Sequence, residues 1–151
     1  MAFHFSLETV LRLREIAEQR EERAMQSILR SMTQQRQQLT MLATSREQIL
    51  GQSISLLQAR TSGAELLLLQ GQIQATADLE AQGRLHLAHL EEQRRAQMRL
   101  YEAAHRDREI LSSEKQQQAD GFKRLQARRE QMEMDDVFSS RRIRTEPRPK
   151  G

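Results

Sequence analysis

The 151-residue sequence has no cysteine and no tryptophan, and its only prolines are at positions 147 and 149. Without cysteine, the chain has no disulfides, no thiolate metal sites and no cysteine nucleophile. Aromatic residues make up 3% and hydrophobic residues 37% of the chain, and valine occurs twice. A compact core needs large apolar side chains from several directions, and strands favour β-branched and aromatic residues. These shortages argue against a compact globular domain and against a sheet protein.

The residues that are abundant are those of long, solvent-exposed helices. Leucine, alanine, glutamine, glutamate and arginine dominate, and 30% of the residues are charged. All five form helices readily. No stretch approaches the roughly 18 consecutive apolar residues of a membrane span. The opening residues, MAFHFSLETVLRLRE, lack the basic and apolar regions of a secretory signal, so we expect an all-α, cytoplasmic chain.

The net charge of +3 is concentrated at one end of the sequence. Residues 141–151 (RRIRTEPRPKG) carry five positive charges and one negative charge, whereas the preceding residues carry 19 positive and 20 negative charges. We expect residues 143–151 to form a flexible, disordered basic tail. The alternative is that this tail attracts nucleic acid or anionic lipid.

A first helix is predicted from about residue 6, where Ser6 is a suitable N-cap, to about residue 60. From Met25 onwards, residues spaced alternately three and four apart form a stripe with seven apolar positions out of ten. This rhythm is typical of a coiled-coil seam, the stripe through which one helix packs on another. The predicted seam comprises Met25, Ile28, Met32, Gln35, Leu39, Leu42, Arg46, Ile49, Ser53 and Leu56.

Nearer the N terminus, the apolar positions follow a different phase. The stripe there comprises Val10, Leu13, Ala17, Arg20 and Ala24, and then steps four residues to Ile28. Such a phase shift predicts locally altered winding of the first helix rather than a strict zipper.

The motif Ser62-Gly63-Ala64-Glu65 has the form of a capping box, which predicts a bend at about residues 61–63 and a second helix from about residue 64. So short a connection makes two long helices antiparallel neighbours. Residue i of the first helix then faces roughly residue 124 − i of the second. The second helix, predicted to about residue 142, overhangs the first from about Ala119. The predicted fold is therefore a long antiparallel two-helix coiled coil, a single domain over residues 1–142.

Four consecutive leucines, Leu66 to Leu69, follow the predicted bend. Together they cover all sides of a helix, so a two-helix hairpin cannot bury all of them. Two alternatives remain open. Either two leucines fill the seam and two are simply exposed, or the outer ones form an apolar contact patch together with Ile73.

The sequence shows no arrangement of residues suited to catalysis. Its glycines are too far apart for a phosphate-binding loop. His86 and His89 lack an apparent third metal ligand, and His105 with Asp107 and Glu109 is typical of a charged helix surface. The carboxylate pairs have no pocket that would shift their pKa values. We therefore expect no enzyme activity, cofactor or metal, and a binding or structural role.

Both ends and the middle of the chain resemble one family. FSLETVLRLREIAEQREERA near the start and EQMEMDDVFSSRR near the end resemble the opening and closing patterns of FliJ, the coiled-coil component of the bacterial flagellar export apparatus. Two further stretches, QQLTMLATSREQI and IQATADLEAQGR, are similar to the middle of that family. The resemblance covers nearly the whole chain.

The resemblance implies a fold similar to the two-helix part of the rotary ATPase γ subunit. It also implies three kinds of partner: the hexameric flagellar export ATPase, into which FliJ proteins insert, the membrane export gate protein FlhA, and the export chaperones that are recycled. The implied location is the cytoplasm, with peripheral association at the inner membrane through these partners. No small-molecule substrate is implied.

Partner contacts are expected at two groups of positions, one on the predicted overhang and one carried over from the family's gate-binding patch. On the overhanging part of the second helix, contacts with the ATPase ring are expected at Phe122, Leu125, Arg129 and Met132. Contacts with the export gate are expected at Gln38, Leu42, Ile49, Leu69 and Ile73. A different register on the second helix would select Gln72 and Thr76 in place of Leu69 and Ile73. In the gate group, Ser45 and Ile49 stand where the family usually has aromatic residues.

Three other hypotheses remain open at this point. The first is an equivalent stalk of a virulence type III secretion system. The second is a basic-tailed coiled-coil scaffold that binds nucleic acid, which is disfavoured because Tyr101 is the only tyrosine and base stacking needs aromatic rings. The third is a parallel homodimeric scaffold.

Overall fold

A computed structural model describes residues 2–60 and 62–145 of the chain. Helix α1 spans Glu8–Gln58 and helix α2 spans Gly63–Thr145, and the described residues contain no strand. The two helices pack against each other in antiparallel orientation, which confirms the predicted all-α two-helix coiled coil. Thr61, at the predicted bend, and residues 146–151 of the predicted basic tail lie outside the described residues. Helix α2 continues three residues beyond the predicted end at 142.

The helix ends around the bend have local causes. The Leu66 amide donates to the Ser62 carbonyl at 3.5 Å, so Ser62 is the residue from which α2 starts, as the capping box predicts. Before the bend, the Ala59 amide still donates to the Ser55 carbonyl at 3.0 Å. Arg60 then adopts a φ of 53°, the left-handed conformation that commonly terminates a helix. The chain therefore leaves α1 and enters α2 within a few residues.

The start of α1 differs slightly from the prediction. The Leu11 amide donates to the Leu7 carbonyl at 2.9 Å, and the Glu8 amide donates to the Phe5 carbonyl at 3.2 Å. The first helical hydrogen bond thus begins at Leu7, one residue after Ser6, and the Glu8 amide does not need the Ser6 hydroxyl. Glu8 lies in the first turn, where its negative charge is favoured by the helix dipole.

The chain divides into two compact units. The terminal unit consists of Met1–Ile16 and His105–Gly151, and the bend unit consists of Ala17–Ala104. Each unit contains one section of α1 packed against one section of α2. They are described separately below.

In the bend unit, the predicted seam of α1 is confirmed by burial. All ten predicted seam positions from Met25 to Leu56 are buried or half-buried, including the polar members Gln35, Arg46 and Ser53. The facing stripe of α2 keeps the same alternation of three and four residues. It comprises Leu66, Leu69, Ile73, Thr76, Glu80, Gly83, Leu87, Leu90, Arg94, Gln97 and Tyr101.

The predicted phase shift near the start of α1 is wrong. Val10 and Leu13, which carried that prediction, are exposed, whereas Leu11 is buried. Leu11 lies a whole number of heptads before Met25, and the half-buried Glu18 lies between them at the same spacing. The seven-residue rhythm therefore continues without a shift. The apolar pattern concealed it because a glutamate occupies a seam position.

The predicted pairing register is also close to the observed one. In the bend unit, the side-chain amide of Gln97 donates to the Glu21 carbonyl at 3.1 Å, and Arg46 pairs with Glu80 at 3.1 Å. The predicted register pairs residue i of α1 with residue 124 − i of α2. Both observed partners, Gln97 and Glu80, lie within six residues of the position predicted in this way. A gap of a few residues in the bend is enough to produce this antiparallel register.

The most deeply buried charge of the bend unit is Glu80, which is 3% exposed. Its Oε2 atom forms an ion pair with Arg46 Nη1 of α1 at 3.1 Å and accepts a hydrogen bond from Arg84 Nη2, one turn along α2, at 3.0 Å. Its Oε1 atom is buried and has no hydrogen-bond partner within the described residues. A buried carboxylate is costly unless it is paired, so the two arginines are needed to keep Glu80 in the seam.

Gly83 marks a close approach of the two helices in the bend unit. A Cβ atom placed there would lie 2.7 Å from Leu39 Cδ2 and 2.8 Å from Gln35 Nε2, both on α1. By contrast, a Cβ atom at Gly71 would meet nothing within 4 Å. Glycine weakens a helix, so its presence at residue 83 is explained by the space that Leu39 takes.

Replacing these two glycines separates helix propensity from packing. Gly71→Ala is expected to stabilise the chain by about 1 kcal/mol, since alanine favours helix and the site is open. Gly83→Ala gains the same propensity but displaces Leu39 and Gln35, so its net effect is expected to be less favourable by roughly 1 kcal/mol or more. Urea unfolding followed by circular dichroism measures both. Equal stabilisation by the two substitutions would contradict the close packing at Gly83.

The two arginines around Glu80 provide a second matched pair. Arg46→Ala removes the cross-helix partner, which is 38% exposed, and is expected to cost about 1–3 kcal/mol because it leaves a buried carboxylate with one cation. Arg84→Ala removes a partner that is 66% exposed, and is expected to cost less than about 1 kcal/mol. The same unfolding measurement applies. An equal or larger loss for Arg84→Ala would show that Arg46 is not the more important partner.

Candidate protein-interaction surfaces

In the terminal unit, α1 begins against α2 through charged and aromatic contacts. Lys115 Nζ lies 2.7 Å from Glu8 Oε2, and its hydrogen bond lowers the pKa of the Glu8 carboxyl below the ordinary value. The Phe3 and Phe122 rings lie 5.8 Å apart between centroids and are tilted by 48°, a favourable aromatic geometry. The residues before α1 therefore still cover part of α2, as far as Phe122.

Beyond these contacts, α2 continues as a single helix. Every residue from 127 to 145 is exposed, and no described residue of α1 covers this segment. We call residues 127–145 the single-helix segment. At 1.5 Å per residue it is about 28 Å long. This confirms the predicted overhang, but the overhang starts later than Ala119 because Phe3 and its neighbours extend along α2 ahead of α1.

The predicted ATPase-ring residues lie at and just before the single-helix segment. Phe122 is half-buried against Phe3, whereas Leu125, Arg129 and Met132 are exposed on the face that continues the seam. Sequence reasoning missed a second apolar group on the opposite side of the segment. It comprises Met134, Val137 and Phe138, all at least half-exposed and spaced three and four residues apart.

The four leucines after the bend divide between the seam and the solvent. Leu66 and Leu69 are half-buried in the seam, whereas Leu67 is 70% and Leu68 is 66% exposed. Two leucines therefore fill the seam and two are exposed, a division that both alternatives share. Ile73 lies in the seam and not beside the two exposed leucines.

The predicted export-gate residues occupy two environments in the bend unit. Gln38 is exposed, one position before the seam residue Leu39. The other four are half-buried seam residues: Leu42, Ile49, Leu69 and Ile73. The structure therefore brings the apolar members together along the two facing stripes, with Gln38 beside them on the outer surface.

A feature that sequence reasoning missed lies on both helices next to the bend. Residues 48–59, at the end of α1 and just beyond it, and residues 66–77 of α2 contain no charged residue, although 30% of the whole chain is charged. Within these stretches, Leu50, Ile54 and Leu57 are exposed in addition to Leu67 and Leu68. The sequence contained a signal for this group, because Leu50, Ile54 and Leu57 each directly follow a predicted seam position.

The histidines and carboxylates considered for metal binding have ordinary helix-surface contacts. His89 shares a hydrogen bond with Gln93 at 3.1 Å, and His105 lies 3.4 Å from Glu109. Within residues 2–60 and 62–145, no three His, Asp or Glu side chains are arranged to hold a metal ion. Neither helix in the same described ranges has an apolar stretch long enough to cross a membrane.

These features define the class of the protein as an antiparallel two-helix coiled coil whose exposed apolar groups lie outside the seam. Comparison with known families gives the narrower assignment. Residues 3–148 match the family model described as Flagellar FliJ protein, and this match covers nearly the whole chain. The chain belongs to the FliJ family, as its sequence motifs predicted.

The family assignment defines the general role of the chain. It is a coiled-coil protein of flagellar export, from a family of structural and export components rather than of enzymes. No curated protein and no solved structure gives a significant match to the chain.

Proposed function

We propose that the chain is a stalk that inserts the single-helix segment into the hexameric flagellar export ATPase. The observation that carries this proposal is the run of 19 exposed residues at the end of α2. A lone helix exposes apolar groups such as Met132 and Phe138 on two sides, and it would bury them by entering a ring lined with apolar residues. A helix has a diameter of about 10–12 Å, so a single one fits a narrower channel than a pair does.

The charges of the segment fit a role in protein contact as well. Arg128 and Arg129 precede an acidic group of Glu130, Glu133, Asp135 and Asp136, and Arg141, Arg142 and Arg144 follow. The segment thus carries a basic, an acidic and a second basic group in succession. A partner with complementary charges would therefore determine how far the helix enters the ring. In this role Leu125, Arg129 and Met132 contact the ring along the face that continues the seam, and Phe122 supports the base of the segment.

The proposal is tested by titrating the chain into the purified export ATPase. We expect the wild-type chain to promote hexamer formation and to stimulate hydrolysis. Met132→Glu places a charge in the proposed contact and removes its apolar burial, so it is expected to weaken the effect about 10- to 100-fold. Light scattering measures the hexamer fraction, and phosphate release measures hydrolysis.

Leu85→Glu is the matched control for this experiment. Leu85 is 73% exposed and Met132 is 66% exposed, but Leu85 lies in the bend unit. Leu85→Glu should therefore leave hexamer formation and hydrolysis by the ATPase as they are with the wild-type chain. Circular dichroism should show unchanged helix content for both variants. If the wild-type chain changed neither oligomerisation nor hydrolysis, or if both variants behaved alike, insertion of the segment would be ruled out.

We further propose that the bend unit contacts the export gate protein FlhA, so that the chain links the ATPase to the gate and assists recycling of export chaperones. This arrangement would hold the chain peripherally at the cytoplasmic face of the membrane. Gln38 is exposed at the edge of the seam, and Leu42 and Ile49 follow it on the same edge of α1. Leu69 and Ile73 supply half-buried apolar surface from α2.

The gate contact is tested by measuring binding to the cytoplasmic part of FlhA. Gln38→Ala is expected to reduce binding about tenfold, the effect of one lost polar contact in a dry interface. Gln37→Ala is the control, because Gln37 is exposed on the side of α1 that faces away from the seam. Equal effects of the two substitutions would contradict a contact along this edge. Leu42→Ala also removes a seam contact. Its binding to FlhA is therefore compared with that of the wild-type chain only if both have the same helix content by circular dichroism.

A further inference from the structure

Four exposed apolar residues next to the bend share one side of the bend unit. Leu50 and Leu57 directly follow the seam residues Ile49 and Leu56 on α1. Ile54 follows Ser53 in the same way, and on α2 Leu67 follows Leu66. A residue one step after a seam position is rotated about 100° from the seam. In an antiparallel pair this rotation carries the side chains of both helices to the same broad side. We call Leu50, Ile54, Leu57 and Leu67 the apolar flank.

The apolar flank is both exposed and free of charge. Its members are between 43% and 70% exposed. They lie within the two uncharged stretches, residues 48–59 and 66–77, where the polar side chains are those of glutamine, serine and threonine. Elsewhere on the chain, exposed apolar residues such as Ile16 and Ile110 have several charged neighbours in sequence. The flank is therefore an uncharged group of exposed apolar residues on one side of the bend unit, unlike the single exposed leucines and isoleucines elsewhere.

We propose that the apolar flank is a self-association surface, through which two copies of the chain pack side by side around a two-fold axis. Such an interface presents the same patch from both copies, so a charge close to the two-fold axis would face the same charge of the other copy. The absence of charge on the flank removes that repulsion. Four helices, two from each copy, would then pack around the leucine and isoleucine side chains as in a small bundle.

The chemistry of the flank favours a second copy over other occupants. A partner with a strongly acidic or basic surface would lose the hydration of its charges without gaining any opposite charge here. A helix that lies on a lipid surface usually combines its apolar face with lysine, arginine and tryptophan. The uncharged stretches contain none of these. A surface of the same uncharged composition is the partner that the flank matches, and the chain itself supplies it.

The size of the flank predicts weak association. Its four side chains expose on the order of 400 Å² of apolar surface per copy, a patch large enough to be significant on a small protein. With neighbouring glutamine and serine side chains, two copies would bury roughly 1,200 Å², which is the lower limit for specific interfaces. We therefore expect a reversible dimer that forms at tens of micromolar chain and dissociates near one micromolar.

Sedimentation velocity of the full chain between about 1 and 200 μM tests the proposal, with that range set by the expected weak interface. The wild-type chain is expected to shift from monomer to dimer as its concentration rises. Ile54→Glu introduces a charge at the centre of the flank, and we expect it to raise the dissociation constant at least tenfold. Leu85→Glu and Phe138→Glu place a charge at similarly exposed residues outside the flank, and they should leave the dimer unchanged.

Cross-linking provides a second measurement, which reports which residues lie close together in the two copies and not only how tightly the copies associate. The chain has no cysteine, so a single introduced cysteine can form a disulfide only between copies. Ile54→Cys should cross-link under mild oxidation, whereas Gln52→Cys, on the opposite side of α1, should not.

Four results would overturn the proposal. These are a monomer at every concentration, a dimer that Phe138→Glu abolishes and Ile54→Glu does not, equal cross-linking of the two cysteine variants, and binding of the flank to zwitterionic phospholipid vesicles in place of dimerisation. None of them bears on insertion into the ATPase, which is tested through Met132. The two proposals can therefore fail separately.

Discussion

The structure depends on one constraint: each helix has only a single stripe with which to bury side chains. Among the described residues only Phe5, Leu11, Met32 and Leu90 are buried apolar side chains, and each is still 2–6% exposed. A core this thin cannot draw its stability from a few large residues, so stability is distributed along the seam in many small contributions. Polar seam residues are tolerated only where they find partners, as Glu80 does with Arg46 and Arg84. The regular alternation of three and four residues keeps those partners facing each other over a long distance.

The same constraint explains why so much of the chain is available to other proteins. Two helices leave most of their surface uncovered. Two parts of it expose apolar groups: the single-helix segment at the end of α2, where they lie among charged residues, and the uncharged apolar flank beside the bend. The first lies in the terminal unit and the second in the bend unit. A coiled-coil export component can thus offer different chemistry at two places, with mixed charged and apolar groups at one and uncharged apolar surface at the other.

Much of the fold could be predicted from the sequence, and the errors have definite physical causes. The seam from Met25 to Leu56 was predictable because its spacing repeats over several heptads, even where Arg46 and Ser53 interrupt it. The bend was predictable from the Ser62 capping motif. The phase shift at Val10 and Leu13 was a wrong prediction because the polar residue Glu18 occupies a half-buried seam position, which a search for apolar residues does not reveal. The overhang was placed too early because the non-helical residues around Phe3 also cover α2.

The sequence by itself determined the helical class, the heptad spacing and the position of the bend, because propensity, periodicity and capping are local properties of the chain. It also carried the family motifs that assign the chain to FliJ. Only the tertiary structure decided which leucines near the bend face the solvent, why residue 83 is a glycine, and where α2 is left without a neighbour. These features depend on how closely one helix approaches the other, and that distance is determined by side chains far apart in the sequence.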